Sequence, residues 1–494
     1  MNRREFIRNI GVGAVSLALA GRSVVFARTD RAKKKKPNII FILTDDMGPW
    51  AYGAAGDKNA RTPNLDRLSA GGVRLTNCFS PTAVCSPARA SIISSRYGTE
   101  VGITDYISSS GVGLDQKFPT WPKLLADSGY ATALFGKWHL GGEDKHYPTN
   151  FGYGEFKGFR SGAGISLNPK VEINGVLQQA EGYTPDILAD FALDFIQRKK
   201  DTSFLVSLHF WAPHANTRNF TPDGDRTWLP LSDADWNQFK DADPVVPNPD
   251  YPDLDIPRVK RMMREYLGSI AAVDRNLGRI MDKLERLGLT ENTIIIFTSD
   301  HGYNMGHNGI WHKGNGRWIL TTRRDSRPNL YEKSSQVPAV IRWTGKIKPG
   351  IKIEQTITHL DWFPTVLAMA GVSMPKDITI RGNNFLGLLE GETSKWDNDL
   401  YAQYTMRGAG VMRSYKSGRW KLVRDFKHVI KDELYDLQND PDEHVNLIDS
   451  PDPAVQQQHR LLNDKLIGKM RQIEDPALAL IQTENEHKIT GTKN

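Results

Sequence analysis

Four apolar runs of strand length constrain this chain more than any other feature: Ile39 to Leu43, "ATALFGK" at 131–137, Phe204 to Phe210 and Thr293 to Thr298. They lack the strict polar alternation of a half-exposed strand, so they read as strands buried on both faces of a sheet. Helical segments separate them. "NLDRLSAGGVRLTN" reads as a short helix stopped at Gly71-Gly72 and a strand, and a second helix from about Pro122 breaks at Gly129. The longest, "REYLGSIAAVDRNLGRIMDKLERLG", carries an apolar face of Ile270, Val273, Leu277, Ile280, Met281 and Leu284. Helix alternating with strand predicts a largely parallel sheet, whose C-terminal strand ends share one rim. Each of the four runs stops at polar residues: Asp45-Asp46, Lys137 with His139, His214 in "WAPH", and Asp300-His301. A metal-type site assembled from four separate segments is therefore expected on that rim.

With 494 residues there is room for one large domain and a smaller one. The fold class expected is α/β: a large mixed, mostly parallel sheet flanked by helices over 37–385, and a smaller antiparallel subdomain over 386–494, where short strands and turns resume. The stretch 218–257, rich in Asp, Pro and Trp, has no helical period and is expected to lie over the rim and shape the substrate site.

The N-terminus carries Arg3-Arg4, an apolar run from Ile10 to about Ala20, and Val25-Phe26-Ala27 as a cleavage site. Residues 1–27 read as a twin-arginine export leader and 28–36 as a basic linker, which implies the export machinery as a partner and a periplasmic or secreted protein. No later window is long and apolar enough to span a membrane. The formal charge of +7 comes from this N-terminus, so the rest is near neutral and lacks the cation excess of a nucleic-acid binder. Of the two cysteines, Cys78 reads as a small apolar residue, and Cys85 lies in "AVCSPARASIISSRYG".

"PNIIFILTDDMG", "CSPAR", "GKWHLG", "APH", "TIIIFTSDHG" and "DELYDLQNDPDEHVNL" together resemble the sulfatase family of the alkaline-phosphatase superfamily, in the family's order, from about Pro37 to Leu447. The resemblance implies an alkaline-phosphatase-like fold and an enzyme that hydrolyses sulfate esters, here expected to be those of sulfated carbohydrate. It implies that a maturation enzyme oxidises Cys85 to Cα-formylglycine, whose hydrate attacks sulfur. Arg89 would hold that residue, Lys137 and Lys313 would bind sulfate oxygens, and His139 would activate the hydrate. His214 would contact sulfate or protonate the leaving alcohol. Asp45, Asp46, Asp300 and His301, with residue 85, would bind Ca²⁺ or Mg²⁺, since hard carboxylate oxygens suit either ion. His307 and His312 are expected as substrate contacts.

Two departures from the family pattern stand out. "GNGRWILTTRRDSRP" intervenes after Lys313, and Ser94-Ser95 replaces the usual Thr-Gly. Serine at 95 lacks glycine's freedom if that position requires a positive φ. Read without the resemblance, the residues lead to an α/β metal site with an unexplained cysteine. A phosphoester or phosphonate hydrolase of the same superfamily and a non-catalytic carbohydrate-binding relic are the alternatives. A phosphate monoester generally calls for a second metal, and ligands for only one are evident.

Overall fold

Strands Thr293–Ser299, Asn38–Thr44, Phe204–His209 and Ala131–Lys137 lie side by side and parallel at the centre of a ten-stranded sheet. The computed structural model describes residues 36–481 except 109, 163, 217–226, 317–327 and 393–394. The expected export leader, nearly all of the linker, and residues 218–226 at the start of the 218–257 stretch fall outside those residues. Glu155–Phe159 extends the parallel set, and Lys170–Ile173 and Val176–Gln179 close that side as antiparallel edge strands. On the other side Ala339–Trp343 runs antiparallel to both of its neighbours, Thr293–Ser299 and Val73–Leu75, and Ile351–Ile353 completes the sheet.

Continuous apolar runs are required because both faces of the central strands are covered. Ile40, Ile42, Val206, Leu208, Ile295 and Phe297 pack beneath helices Pro63–Ala70, Thr184–Lys199 and Ile256–Arg286. Their neighbours Ile39, Phe41, Leu43, Leu205, Ile294 and Ile296 face helices Cys85–Ser94, Trp121–Asp127 and Trp362–Met369. Successive residues point to opposite faces, so each strand feeds two cores.

The long helix begins at Ile256, several residues before the first clear apolar repeat. Asp255 caps it by accepting from the Arg258 amide at 3.1 Å, and a proline sits in its first turn. The preceding stretch is anchored by Trp228, whose indole donates to the Pro213 carbonyl at 2.5 Å and whose ring packs edge-on to Tyr266 and Trp311. That tryptophan is core.

The C-terminal part is a four-stranded antiparallel sheet of Leu400–Met406, Gly410–Ser417, Trp420–Asp425 and Glu433–Asp436. A helix at Pro453–Gln472, beyond the strands and turns legible in the sequence, packs on it. It buries just Leu462, Leu466 and Met470, a line too narrow to stand out in sequence. Arg413 grips Asp475 with two hydrogen bonds of 2.6 and 2.7 Å and so anchors the end of this helix. A buried charge cluster joins the sheet to the larger part. Lys421 Nζ reaches Glu332 at 3.0 Å, Glu443 at 2.7 Å and the Leu330 carbonyl at 2.6 Å, and Lys416 pairs with Glu332 at 2.7 Å. From Lys36 on the chain is one compact unit. Cys78 is buried and both cysteines are free. Among the described residues no helix is long and apolar enough to cross a membrane.

Candidate active site

Asp45 and Asp46 follow the end of Asn38–Thr44, and Asp300 and His301 follow the end of the adjacent Thr293–Ser299. Parallel pairing of these strands in register, Thr44 opposite Ser299, delivers the four side chains to one point. Asp46 adopts a left-handed backbone (φ 69°), which turns its carboxylate toward His301 Nε2 at 3.2 Å. Ala131–Lys137 brings Lys137, whose ammonium pairs with Asp45 Oδ2.

Cys85 is the first residue of helix Cys85–Ser94, after an extended Val84. Its Sγ lies 3.5 Å from Asp45 Oδ1, 3.4 Å from His301 Nε2 and 3.1 Å from Lys313 Nζ. An atom at a helix N-terminus sits in the positive end of the helix dipole, which favours negative charge there. One turn on, Arg89 is placed on the same helix face. Its Nε donates to Asp300 Oδ2 at 2.9 Å and its Nη1 to the Lys137 carbonyl at 2.8 Å. Lys313 Nζ also meets Asp46 Oδ1 at 2.5 Å. Backbone contacts lock the turn before Cys85: Gly314 donates to the Ala83 carbonyl at 3.1 Å, Gln403 to that of Pro81 at 2.8 Å and Ser80 to that of Ser335 at 2.8 Å. Val84 itself packs among Leu330, Ala402, Tyr404, Met412 and Val423.

The imidazoles are held by carbonyl oxygens, which can only accept, so the bonded ring nitrogen carries the hydrogen. His214 Nδ1 donates to Ala215 at 2.8 Å and His301 Nδ1 to Gly302 at 2.9 Å. Their Nε2 atoms are left for chemistry; that of His214 is 3.8 Å from Asp46 Oδ2. His139 Nε2 donates to Ile107 at 3.1 Å, and its buried Nδ1 has no hydrogen-bond partner. A β-carbon at Gly162 would stand 2.2 Å from the His139 ring, so only glycine permits this approach. Burial pushes His214 down to about 4 although Asp46 and Asp45 oppose it. Burial also raises the carboxyls of Asp45 and Asp46, but Lys137 for the first and Lys313 for the second, with His214, outweigh it. Asp45 is held well below its usual range and Asp46 falls to about 2.

Nine of the expected residues thus meet within one buried cluster: Asp45, Asp46, Cys85, Arg89, Lys137, His214, Asp300, His301 and Lys313. His139 borders it, with Lys137, Arg89 and Asp45 as electrostatic neighbours. His312 stands at its wall, influenced by Lys313, Asp46 and His214. His307 is elsewhere: its ring lies tilted against Trp50, centroids 5.4 Å apart, it donates to the Asn304 carbonyl, and it has Lys333, Asp442 and His444 as charged or titratable neighbours. Three supporting residues escaped the sequence reading. Tyr404 donates to Asp105 at 3.1 Å near Cys85, and Asn329 donates to the Lys313 carbonyl at 3.2 Å. No spacing in the sequence links Asp105 to Tyr404, and only the packing of the C-terminal sheet brings them together.

The donor set fits a hard divalent cation. Ligand atoms of Asp45, Cys85, Asp300 and His301 lie within 4.8 Å of one another, as do those of Asp45, Asp46 and His214. Asp46 Oδ2 is buried without a hydrogen-bond partner, a carboxylate oxygen still available to a cation. Three buried carboxylates face Arg89, Lys137 and Lys313, so a dication arriving with a monoanionic ester leaves the cluster near charge balance.

The sequence model of the sulfatase family matches residues 37–372. The chain belongs to the sulfatase family. This sulfatase is a member of the alkaline-phosphatase-like superfamily and a sulfuric ester hydrolase, and its residues 324–472 also match the C-terminal region of N-sulphoglucosamine sulphohydrolase. It is 29% identical to an N-acetylglucosamine-6-O-sulfatase of Bacteroides thetaiotaomicron, over 87% of this chain and 86% of that protein. Human steryl-sulfatase is 28% identical, with 79% and 76% covered. A solved structure in complex with its substrate, D-glucosamine-2-N,6-O-disulfate, superposes with a TM-score of 0.76 at 26% identity, covering 90% of the sulfatase and 99% of that chain. A phosphonate monoester hydrolase of Agrobacterium radiobacter, at 22% identity and a TM-score of 0.64 over 89% and 96%, shares the fold.

Proposed function

We propose that this sulfatase removes sulfate from a sulfated carbohydrate, using formylglycine made from Cys85 and one Ca²⁺ or Mg²⁺ held by Asp45, Asp46, Asp300 and His301. The observation that carries the reading is the position of Cys85: a side chain at a helix N-terminus, within 3.5 Å of a carboxylate, an imidazole and an ammonium. The named relative that acts on N-acetylglucosamine sulfate, and the structure holding a disulfated glucosamine, support carbohydrate as the substrate class. An exported, periplasmic or secreted enzyme matured before export fits the twin-arginine leader.

Hydrated formylglycine supplies one hydroxyl to attack sulfur and a second to expel sulfate, while the cation supplies positive charge to the non-bridging oxygens. The chain's own residues do the rest. Lys313 and Lys137 bind and orient the sulfate oxygens, and Arg89 holds residue 85 and offsets negative charge on it. The Nδ1 hydrogen bond of His214 fixes its tautomer and orients Nε2 toward the site; Nε2 must first take up a proton, as the imidazolium that the Asp46 and Asp45 carboxylates favour against burial, before it hands that proton to the departing sugar oxygen. His139, wedged between Ile107 and Gly162, offers Nδ1 to take a proton from the nucleophile.

The test is a desulfation screen over defined sulfated saccharides, with protein co-produced with a formylglycine-generating enzyme. Turnover of at least one saccharide, a residue-85 peptide that reacts with hydrazide, and loss of turnover in Cys85→Ala are expected. A fully active Cys85→Ala protein would overturn the reading.

A further inference from the structure

The loop Asp105 to Ser108 passes over the start of the Cys85 helix. Ile107 donates its amide to Ser86 Oγ at 3.0 Å and accepts from His139 at 3.1 Å, so its backbone touches residues on two sides of the nucleophile. Its neighbours Tyr106 and Ser108 are exposed, with 41% of Tyr106 accessible. The turn between Leu400–Met406 and Gly410–Ser417 sets Arg407 against this loop. The guanidinium lies 5.7 Å from the centre of the Tyr106 ring, and Nη2 donates to the Tyr106 carbonyl at 2.7 Å and to Ser108 Oγ at 3.0 Å.

Asp105 fixes the arrangement from below. Its carboxylate accepts from Tyr404 Oη at 3.1 Å, from the Tyr106 amide at 2.8 Å and from the Arg407 amide at 3.2 Å. Its contact with the Arg407 guanidinium is only the long one, 3.8 Å to Nε. Arg407 is thus oriented by its backbone and by Nη2, while its side chain stays 58% exposed and Nη1 has no hydrogen bond among the described residues. A flat cation of this kind, pre-oriented against an accessible aromatic ring, suits a sugar ring that carries an anionic substituent. Tyr404, which holds Asp105, packs with Val84, the residue before Cys85, and Ile107 between Tyr106 and Ser108 bonds Ser86, the residue after it, so the pair stands close to the start of the Cys85 helix.

We propose that Tyr106 and Arg407 form a second anion subsite on the rim, which selects saccharides bearing a further acidic group close to the sulfate ester that is cleaved. The inference rests on the carbohydrate reading above and makes Arg407, from the C-terminal subdomain, a specificity residue. The cleaved sulfate is held by the buried cluster, and the additional acid, a second sulfate or a carboxylate, meets the guanidinium while the sugar stacks on the tyrosine.

The experiment compares kcat/KM of the full-length matured enzyme on four substrates: an aryl sulfate, a singly O-sulfated amino sugar, its N-sulfated counterpart, and the singly sulfated sugar linked to a uronic acid. The wild type is expected to favour one of the two-acid saccharides over the one-acid sugar, and which one it favours identifies the additional acid. Arg407→Gln should lower that ratio about tenfold, mainly through KM, as for loss of a charge-assisted hydrogen bond. Arg407→Lys, keeping charge without the flat face, should restore part of it, and Tyr106→Ala should weaken all saccharides relative to the aryl ester. Saccharide turnover with no two-acid preference, or a ratio unchanged in Arg407→Gln, overturns the subsite alone. Aryl sulfate turnover with no saccharide turned over overturns the carbohydrate reading, and the subsite with it.

Discussion

Ser95 takes a left-handed backbone conformation (φ 54°) and donates its hydroxyl to the Leu360 carbonyl at 2.7 Å. The same oxygen accepts from the amides of Gly382 at 2.9 Å and Arg381 at 3.2 Å, so the side chain ties the end of the Cys85 helix to two distant segments. A positive φ costs a non-glycine residue about 1–2 kcal/mol, and hydrogen bonds of this kind return about 1 kcal/mol each. Ser95→Ala keeps the strain and loses the bonds, and should destabilise the protein by roughly 2–3 kcal/mol. Ser95→Gly loses the bonds but sheds the strain, and should cost clearly less. Denaturant unfolding of the two variants checks the order, and an equal loss would assign the effect to the lost hydrogen bonds alone, with no contribution from backbone strain.

The general-acid role of His214 predicts a split between leaving groups. A sugar alkoxide departs poorly without a proton, whereas a phenolate does not need one. His214→Ala should therefore lower kcat/KM about 10²-fold or more on a saccharide sulfate and much less on an aryl sulfate. Lys313→Ala, acting on oxygens common to both, should damage the two alike. Equal losses for His214→Ala would reassign it to sulfate binding and make His312, beside His214 and Lys313, the next candidate for the acid.

Metal removal offers a third check. Elemental analysis of the purified protein should give about one Ca²⁺ or Mg²⁺ per chain, and Asp45→Ala or Asp300→Ala should lose it. Chelation should abolish activity, and added Ca²⁺ or Mg²⁺ should restore it and raise Tm, because the ion binds the folded state. Two tightly held zinc ions would contradict the single hard-cation site.

The charge cluster at the subdomain joint gives a pH-dependent prediction. Burial raises Glu332, but Lys416 and Lys421 outweigh it and bring its carboxyl down to about 2, below its unfolded value. Stability from this group is therefore present above about pH 4.5 and lost as pH falls through the folded value, on the order of 3 kcal/mol. The stability difference between wild type and Glu332→Gln should shrink as pH falls from 5 toward 2. Lys421→Met, which strands Glu443 in the interior and leaves Glu332 with Lys416 alone, should cost about 3–5 kcal/mol at neutral pH. Urea unfolding at several pH values measures both.

What the sequence makes legible depends on the range of the interaction. The central strands are visible because burial on both faces leaves an uninterrupted apolar signature, and residues that follow a strand end, such as Asp45 and Asp300, inherit their position from it. Cys85 and Arg89 share a helix face four residues apart. By contrast, the link from Tyr404 to Asp105, the fit of Gly162 against His139 and the three partners of the Ser95 hydroxyl leave no periodic trace, because each depends on segments that meet only in the folded chain. Ser95 could be flagged as a departure, but nothing local says what holds it. His307, close in sequence to Lys313, packs against Trp50 rather than joining the cluster, a placement that its spacing does not reveal.

The turn that precedes Cys85 accepts one of its hydrogen bonds, at the Pro81 carbonyl, from the amide of Gln403 in the first strand of the C-terminal sheet. That strand is made about 320 residues after Cys85, and once it docks the thiol is 3% accessible. Synthesis at about 5–20 residues per second leaves an interval of about 15–60 s in which residue 85 has emerged and its cover has not. The conversion proposed for Cys85 would thus be timed by translation: the strand that carries Gln403 acts as a deadline, and a chain that outruns its maturation enzyme would close around an unconverted thiol.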